Sequence, residues 1–233
     1  LSGLDLVALM IDGVHFAESC CIVALGIDID GVKHPLALVE GSTENATLVT
    51  DLLVDLRERG LDVTRPMLVG LDGAKALRKA VLHVLDHPVI QRCQLHKTRN
   101  VKDHLPQRLR SSIGRKMTDA YHASSALEAE AALLALATEL DRTHPGAAAS
   151  LREGLHETLT VLRLNVSPTL ARTLRSTNCI VIWSTCGSVF DVRHGASRSL
   201  VLRGGRGYLQ SSMRQSLRRV DACSEGHFTG LVA

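Results

Sequence analysis

The first part of the chain is a succession of short apolar runs separated by polar turns. Leu6–Phe16 is mostly apolar and interrupted by Asp12, and Cys20–Ile27 is a second run rich in β-forming residues. Asp28-Ile29-Asp30-Gly31 is turn chemistry, with Asp-Gly a strong hairpin signal. Lys33–Val39 follows as a third strand, so an antiparallel meander is predicted. After Thr43, the stretch Glu44–Arg59 places Leu48, Leu52, Leu53 and Leu56 at helical spacing, and Gly60 ends it. Met67–Leu71 is wholly apolar, as a buried strand requires, and stops at Asp72-Gly73. Ala74–Leu85 reads as helix and Val89–Cys93 as a fifth strand. Three strands, then helix, strand, helix and strand, is an α/β order.

The middle changes period. From His96 to Arg175 nearly everything reads as helix. Ala120–Leu140 is Ala/Leu/Glu-rich, Ala147–Arg163 follows a break at His144-Pro145-Gly146, and Asn165–Pro168 precedes a helix from Thr169. After Ile180 the pattern deteriorates into a Gly/Arg/Ser-rich stretch that includes Arg203-Gly204-Gly205-Arg206-Gly207. No internal repeat is present.

Composition narrows the class. The 233 residues suffice for a sizeable core, and 45% hydrophobic against 22% charged residues excludes disorder as the main state. No run is long and apolar enough for a membrane span. Six Cys are too few for a disulfide scaffold, which favours a reducing cytoplasm. The net charge of +3 hides a division. Acids dominate up to Asp86, whereas Arg92, Lys97, Arg99, Lys102, Arg108, Arg110, Arg115 and Lys116 face only Asp103, and the end is basic again. Basic blocks beside an acidic first part suit a polyanion partner.

Asp12 sits inside an apolar strand and Asp72 ends another. A buried carboxylate is costly unless paired or bound to a cation. Two acids on neighbouring strands can converge on one sheet edge, and Mg²⁺ commonly takes one or two protein carboxylates plus phosphate oxygens. The plainer reading is that each is a turn residue before Gly. Cys93-Gln94-Leu95-His96 has a C-x2-H spacing, but no second close pair completes a four-ligand zinc site. A buried structural Cys with a His near an active site is the alternative. Neither Cys93 nor Cys20 has the setting of a Cys–His hydrolase nucleophile. A phosphate-binding P-loop is absent, and 3% aromatic residues argue against a base-stacking single-strand binder.

Taken in order, Ala8-Leu9-Met10-Ile11-Asp12-Gly13-Val14, Gly26-Ile27-Asp28, Gly41-Ser42-Thr43-Glu44-Asn45, Gly70-Leu71-Asp72-Gly73-Ala74, Gln91-Arg92-Cys93-Gln94-Leu95-His96-Lys97 and Leu174-Arg175-Ser176-Thr177-Asn178 resemble a bacterial transposase of the Mutator type. The resemblance runs from Leu6 to about Val220. It implies an α/β, ribonuclease H-like mixed sheet core with an all-helical insertion: 1–95 as the core with two acids, 96–175 as the insertion, and 176–233 as the rest of the core with a basic end. It further implies an acidic triad holding Mg²⁺ or Mn²⁺, with Asp12 and Asp72 as the first two acids. Cys93 and His96 match a Cys-x2-His pair near the catalytic centre. Arg92, Lys97, Arg99 and Lys102 are then candidate contacts to double-stranded DNA, in a homo-oligomeric enzyme of the bacterial cytoplasm and nucleoid.

Three departures qualify the resemblance, one of them downstream, where His194-Gly195-Ala196 and Arg203-Gly204-Gly205 stand roughly in place of an aromatic, basic stretch containing Trp. The third acid is expected at position 181, where this chain has Val181, so impaired catalysis is expected unless Glu153, Glu157 or Asp191 substitutes. The family's helical DNA-end-recognition segment would precede the first strand and is not among these residues. A non-catalytic DNA-binding or regulatory remnant that oligomerises with an intact transposase is the alternative reading. A ribonuclease H-like nuclease acting on other substrates is a third.

Overall fold

The computed structural model describes residues 1–16 and 19–180. The expectations at Val181, at Asp191 and for the basic end lie outside the described residues.

Strands β1 (Leu6–Phe16), β2 (Ser19–Asp28) and β3 (Lys33–Glu40) form the predicted antiparallel meander, with Ile11 opposite Ala24 and Ala24 opposite Ala37. Every residue from Leu6 to Ile11 is buried, as in a strand covered on both faces. At the β2–β3 turn Asp28 Oδ1 accepts the N–H groups of Asp30 and Val32 at 3.0 and 2.8 Å, and Gly31 takes φ 81°.

Helix α1 (Ala46–Glu58) buries Val49, Leu52, Leu53 and Leu56. Its N-cap is Asn45, whose Oδ1 accepts from Leu48 N–H at 3.1 Å, so the helix starts beyond the Glu44 predicted from periodicity. Strand β4 (Met67–Leu71) is buried throughout, helix α2 (Lys75–Val84) packs on α1, and β5 (Pro88–Arg92) follows. The five strands form one mixed sheet in the order β3-β2-β1-β4-β5. Asp12 therefore lies on the strand beside the one that Asp72 follows.

The helical region has more breaks than its periodicity suggests. Helices α3 (Gln94–Asp103), α4 (Gln107–Tyr121), α5 (Ala126–Asp141), α6 (Pro145–Arg152), α7 (Leu155–Thr158), α8 (Thr160–Arg163) and α9 (Pro168–Leu174) succeed one another. The single helix predicted over Ala120–Leu140 is divided, because Ser125 caps α5 and accepts from Glu128 N–H at 3.2 Å. The expected break before Ala147 is present but lies at residues 142–144, and Pro145 already begins α6, since its missing N–H falls in the first turn. The helix predicted over Ala147–Arg163 ends at Gly154, which adopts φ 63°. Val101, Ile113, Met117, Leu133, Leu136 and Leu151 share one apolar core among these helices.

The chain divides into two compact units. One comprises Leu1–Val69 and Ala74–Val89 with Cys179 and Ile180; the other comprises Gly70–Gly73 and Ile90–Asn178. The Asp72–Gly73 turn and the end of β5 thus belong to the same compact unit as the helices. Among the described residues, no helix is long and apolar enough to cross a membrane.

Candidate active site

The Cys-x2-His segment begins where β5 hands over to α3. Cys93 occupies the N-cap of α3 and is 1% exposed. Its N–H donates to Leu71 O at 2.7 Å, tying it to the residue before Asp72. Its Sγ accepts from Thr177 N–H at 3.4 Å, and Gln94 N–H donates to Arg175 O at 3.1 Å. One cysteine thus joins the end of β4 to the Ser176-Thr177-Asn178 segment. Burial pushes the Cys93 thiol up, but hydrogen bonds with His96 and Thr177 outweigh it and leave the group below the ordinary thiol value. His96 is half-buried in the first turn of α3.

The next cluster is electrostatic. Arg92 is 7% exposed and Lys97 is 0% exposed. Arg92 Nη2 lies 3.3 Å from Glu153 Oε2, and Lys97 Nζ lies 3.8 Å from the same oxygen. Arg92 Nη1 also donates to Glu153 O at 3.2 Å. Lys97 Nζ donates to the carbonyls of Ser150 and Glu153 at the end of α6, where the helix itself supplies no further N–H groups. Burial, then the neighbouring Arg92 charge, lowers the Lys97 pKa from 10.5 to about 8, against the pull of Glu153.

A neutral network fastens the same region. Gln91 Nε2 donates to Arg92 O and Thr158 O at 2.8 and 3.0 Å, while its Oε1 accepts from Val161 N–H at 2.8 Å. Gln94 Nε2 donates to Thr158 O at 2.9 Å, and Thr160 Oγ1 to Ile90 O at 2.7 Å. These buried side chains satisfy backbone groups exposed by the short, broken helices α7 and α8.

The carboxylates are placed differently. Asp12 is 3% exposed within β1, and its Oδ1 accepts from Gly13 N–H at 2.8 Å. Asp72 is half-buried just beyond β4. Among the described residues, no three His, Cys, Asp or Glu side chains gather to hold a metal ion. A closed zinc site at Cys93 and His96 therefore has no further protein ligands among them.

The Mutator family of transposases matches residues 4–182, more than half of the chain. The chain belongs to this family. Similar proteins include the transposase of insertion sequence element IS6120 from Mycolicibacterium smegmatis, 34% identical over 161 residues, covering 66% of this chain and 49% of that protein. A probable insertion-sequence transposase of Corynebacterium diphtheriae is 30% identical over 170 residues, covering 72% and 48%. The transposase of insertion sequence element IST2 from Acidithiobacillus ferrooxidans is 29% identical over 180 residues, covering 77% and 58%. The chain spans about half the length of the relatives it matches.

Of the four basic residues assigned to DNA from sequence, Arg92 and Lys97 do not face solvent. Glu153 and the end of α6 use their charge internally, which a linear count of charges cannot reveal. Arg99 is exposed and Lys102 is half-buried, both on α3. Glu153, considered as a substitute acid, is the partner of those two cations. Gln91 and Gln94 stand in the motif that carries the resemblance but have no role assigned from sequence, and Gly154 was passed over, although a Gly inside a helical pattern is a known sign of a break.

Proposed function

We propose that this chain is the catalytic part of a DNA transposase with a ribonuclease H-like core, in which Asp12 and Asp72 hold Mg²⁺ or Mn²⁺. The observation that carries this reading is the buried Asp12 carboxylate on β1, in a chain that matches the Mutator family from residue 4 to residue 182. The strand order β3-β2-β1-β4-β5, with its antiparallel meander, supports the ribonuclease H-like core.

The donor chemistry suits a hard cation: carboxylate oxygens at Asp12 and Asp72 are the ligands such an ion prefers, and phosphate oxygens of the DNA would complete its shell. When bound, such a cation supplies activation of water and neutralisation of charge on the phosphodiester. Asp12 and Asp72 bind it, and His96 stands near the scissile phosphate, oriented by its hydrogen bond with Cys93. Arg99 and Lys102 contact the DNA backbone without reading sequence. The enzyme works as an oligomer on the bacterial nucleoid. Val181 in place of the third acid impairs cleavage, and Glu153 does not replace it, because its carboxylate is paired with Arg92 and Lys97.

A Mn²⁺-dependent nicking and strand-transfer assay on duplexes carrying the element's ends tests this reading. The unmodified chain should be weak, Val181→Glu should raise activity, and Asp12→Asn or Asp72→Asn in that background should abolish it. Activity that survives either Asn substitution overturns the catalytic assignment. Robust nicking by the unmodified chain overturns the impairment.

DNA binding is separately measurable. Affinity should fall steeply with salt, and Arg99→Ala should reduce the slope of log K against log salt by about 1. An unchanged slope would show that Arg99 makes no phosphate contact.

A further inference from the structure

Arg92 is held between two glycines. A Cβ on Gly73 would lie 2.4 Å from Arg92 Nε and 3.0 Å from its Cζ, and a Cβ on Gly154 would lie 2.5 Å from its Nη1. Both glycines adopt positive φ, 108° and 63°, so neither position readily takes another residue. Gly73 directly follows Asp72, and Gly154 directly follows Glu153. The guanidinium therefore fills the space between the turn after β4 and the break after α6.

Its polar atoms are used unequally. Two of its nitrogens are engaged by Glu153, through the main-chain oxygen and the carboxylate. Nε is closed off from solvent and has no hydrogen-bond partner among the described residues. It is also the atom nearest the position that a Gly73 side chain would occupy. A buried, unsatisfied N–H is costly, so a fold that retains one holds its bearer for another reason. The flat edge of the group lies against the Gly73 backbone, while its far end is anchored by a carboxylate on a separate element.

We propose that Arg92 is a positioning residue, clamped by Glu153 and Gly154, that sets the backbone of the Asp72–Gly73 turn and so aims the Asp72 carboxylate. Its importance for catalysis rests on the reading of Asp72 as a metal ligand; its action on the turn does not. Arginine suits the task because its guanidinium is planar, rigid and always charged. Lysine keeps the charge but offers no flat edge to press on Gly73.

The test uses the full chain and two readouts. Hydrogen exchange is measured at residues 72–74 and in α5, and Mn²⁺ binding is followed by water-proton relaxation. The variants are Arg92→Lys, Arg92→Met and Asp72→Asn. Arg92→Lys, the variant more certain to fold, should speed exchange at residues 72–74 by about tenfold while leaving α5 protected. It should also weaken Mn²⁺ binding by about tenfold, the size of effect typical of outer-shell partners. Exchange at residues 72–74 that is unchanged, or that accelerates no more than in α5, overturns the proposal. So does Mn²⁺ binding that Asp72→Asn abolishes but Arg92→Lys leaves intact. If Asp72→Asn has no effect on Mn²⁺, the metal reading of Asp72 fails, and the exchange data alone decide the clamp.

Discussion

Replacing Lys97 with methionine should lower stability by about 2–3 kcal/mol, although the side chains are similar in length and the site is fully buried. The loss comes chiefly from the Ser150 carbonyl, which loses its donor at the end of α6, while the Glu153 carbonyl keeps Arg92 Nη1. It is partly offset because an ammonium no longer has to be buried. Equilibrium urea unfolding checks the value, and a variant as stable as the parent would remove Lys97 from the account of the α6 terminus.

The same residue gives that difference a pH dependence of definite sign. Lys97 has a pKa of about 8 in the folded protein against 10.5 for an ordinary lysine. Below pH 8 both states carry the proton, and the cost of burying charge is fully present. As pH rises from 8 towards 10.5 the unfolded state binds more protons, so stability contributed by this group increases. The neutral amine still donates to both carbonyls. The gap between the parent and Lys97→Met should therefore widen with pH, by about 3 kcal/mol at most. A gap that narrows over this window contradicts the burial of a charged Lys97.

Gly154→Ala should cost about 3 kcal/mol. A left-handed backbone accounts for roughly 1–2 kcal/mol of that in a residue with a Cβ. Displacement of the Arg92 guanidinium, 2.5 Å from where the Cβ would sit, supplies the rest. The two parts can be separated by a double-mutant cycle. With Arg92→Ala in place the collision disappears, so the combined variant should lose less than the sum of the single ones. Additive losses would mean that Gly154 is required for its backbone alone.

Legibility differed between the two units. The bounds of β1 and β4 coincide with the apolar runs Leu6–Phe16 and Met67–Leu71, because buried strands have an unmistakable composition. The helical unit was harder, because its breaks depend on capping rather than hydrophobicity. Ser125 with Glu128 is a readable capping box that ends the apparent continuity of Ala120–Leu140. Gly154 is different: whether a glycine ends a helix or merely weakens it depends on what occupies the space beside it.

The order of apolar runs specified the meander, the alternation of strands and helices, and the place of Asp12 inside a strand, since burial of a periodic pattern is a local property. The same motifs carried the family resemblance that the match over residues 4–182 establishes. Which basic side chains face solvent was not local. Arg92, Lys97, Arg99 and Lys102 look equivalent along the chain, but the first two are buried against Glu153 and the end of α6, many residues away. A charge's partner is chosen by packing in three dimensions. The block that reads as one basic patch is therefore two things: an internal clasp beside the Asp72–Gly73 turn, and a smaller exposed surface on α3.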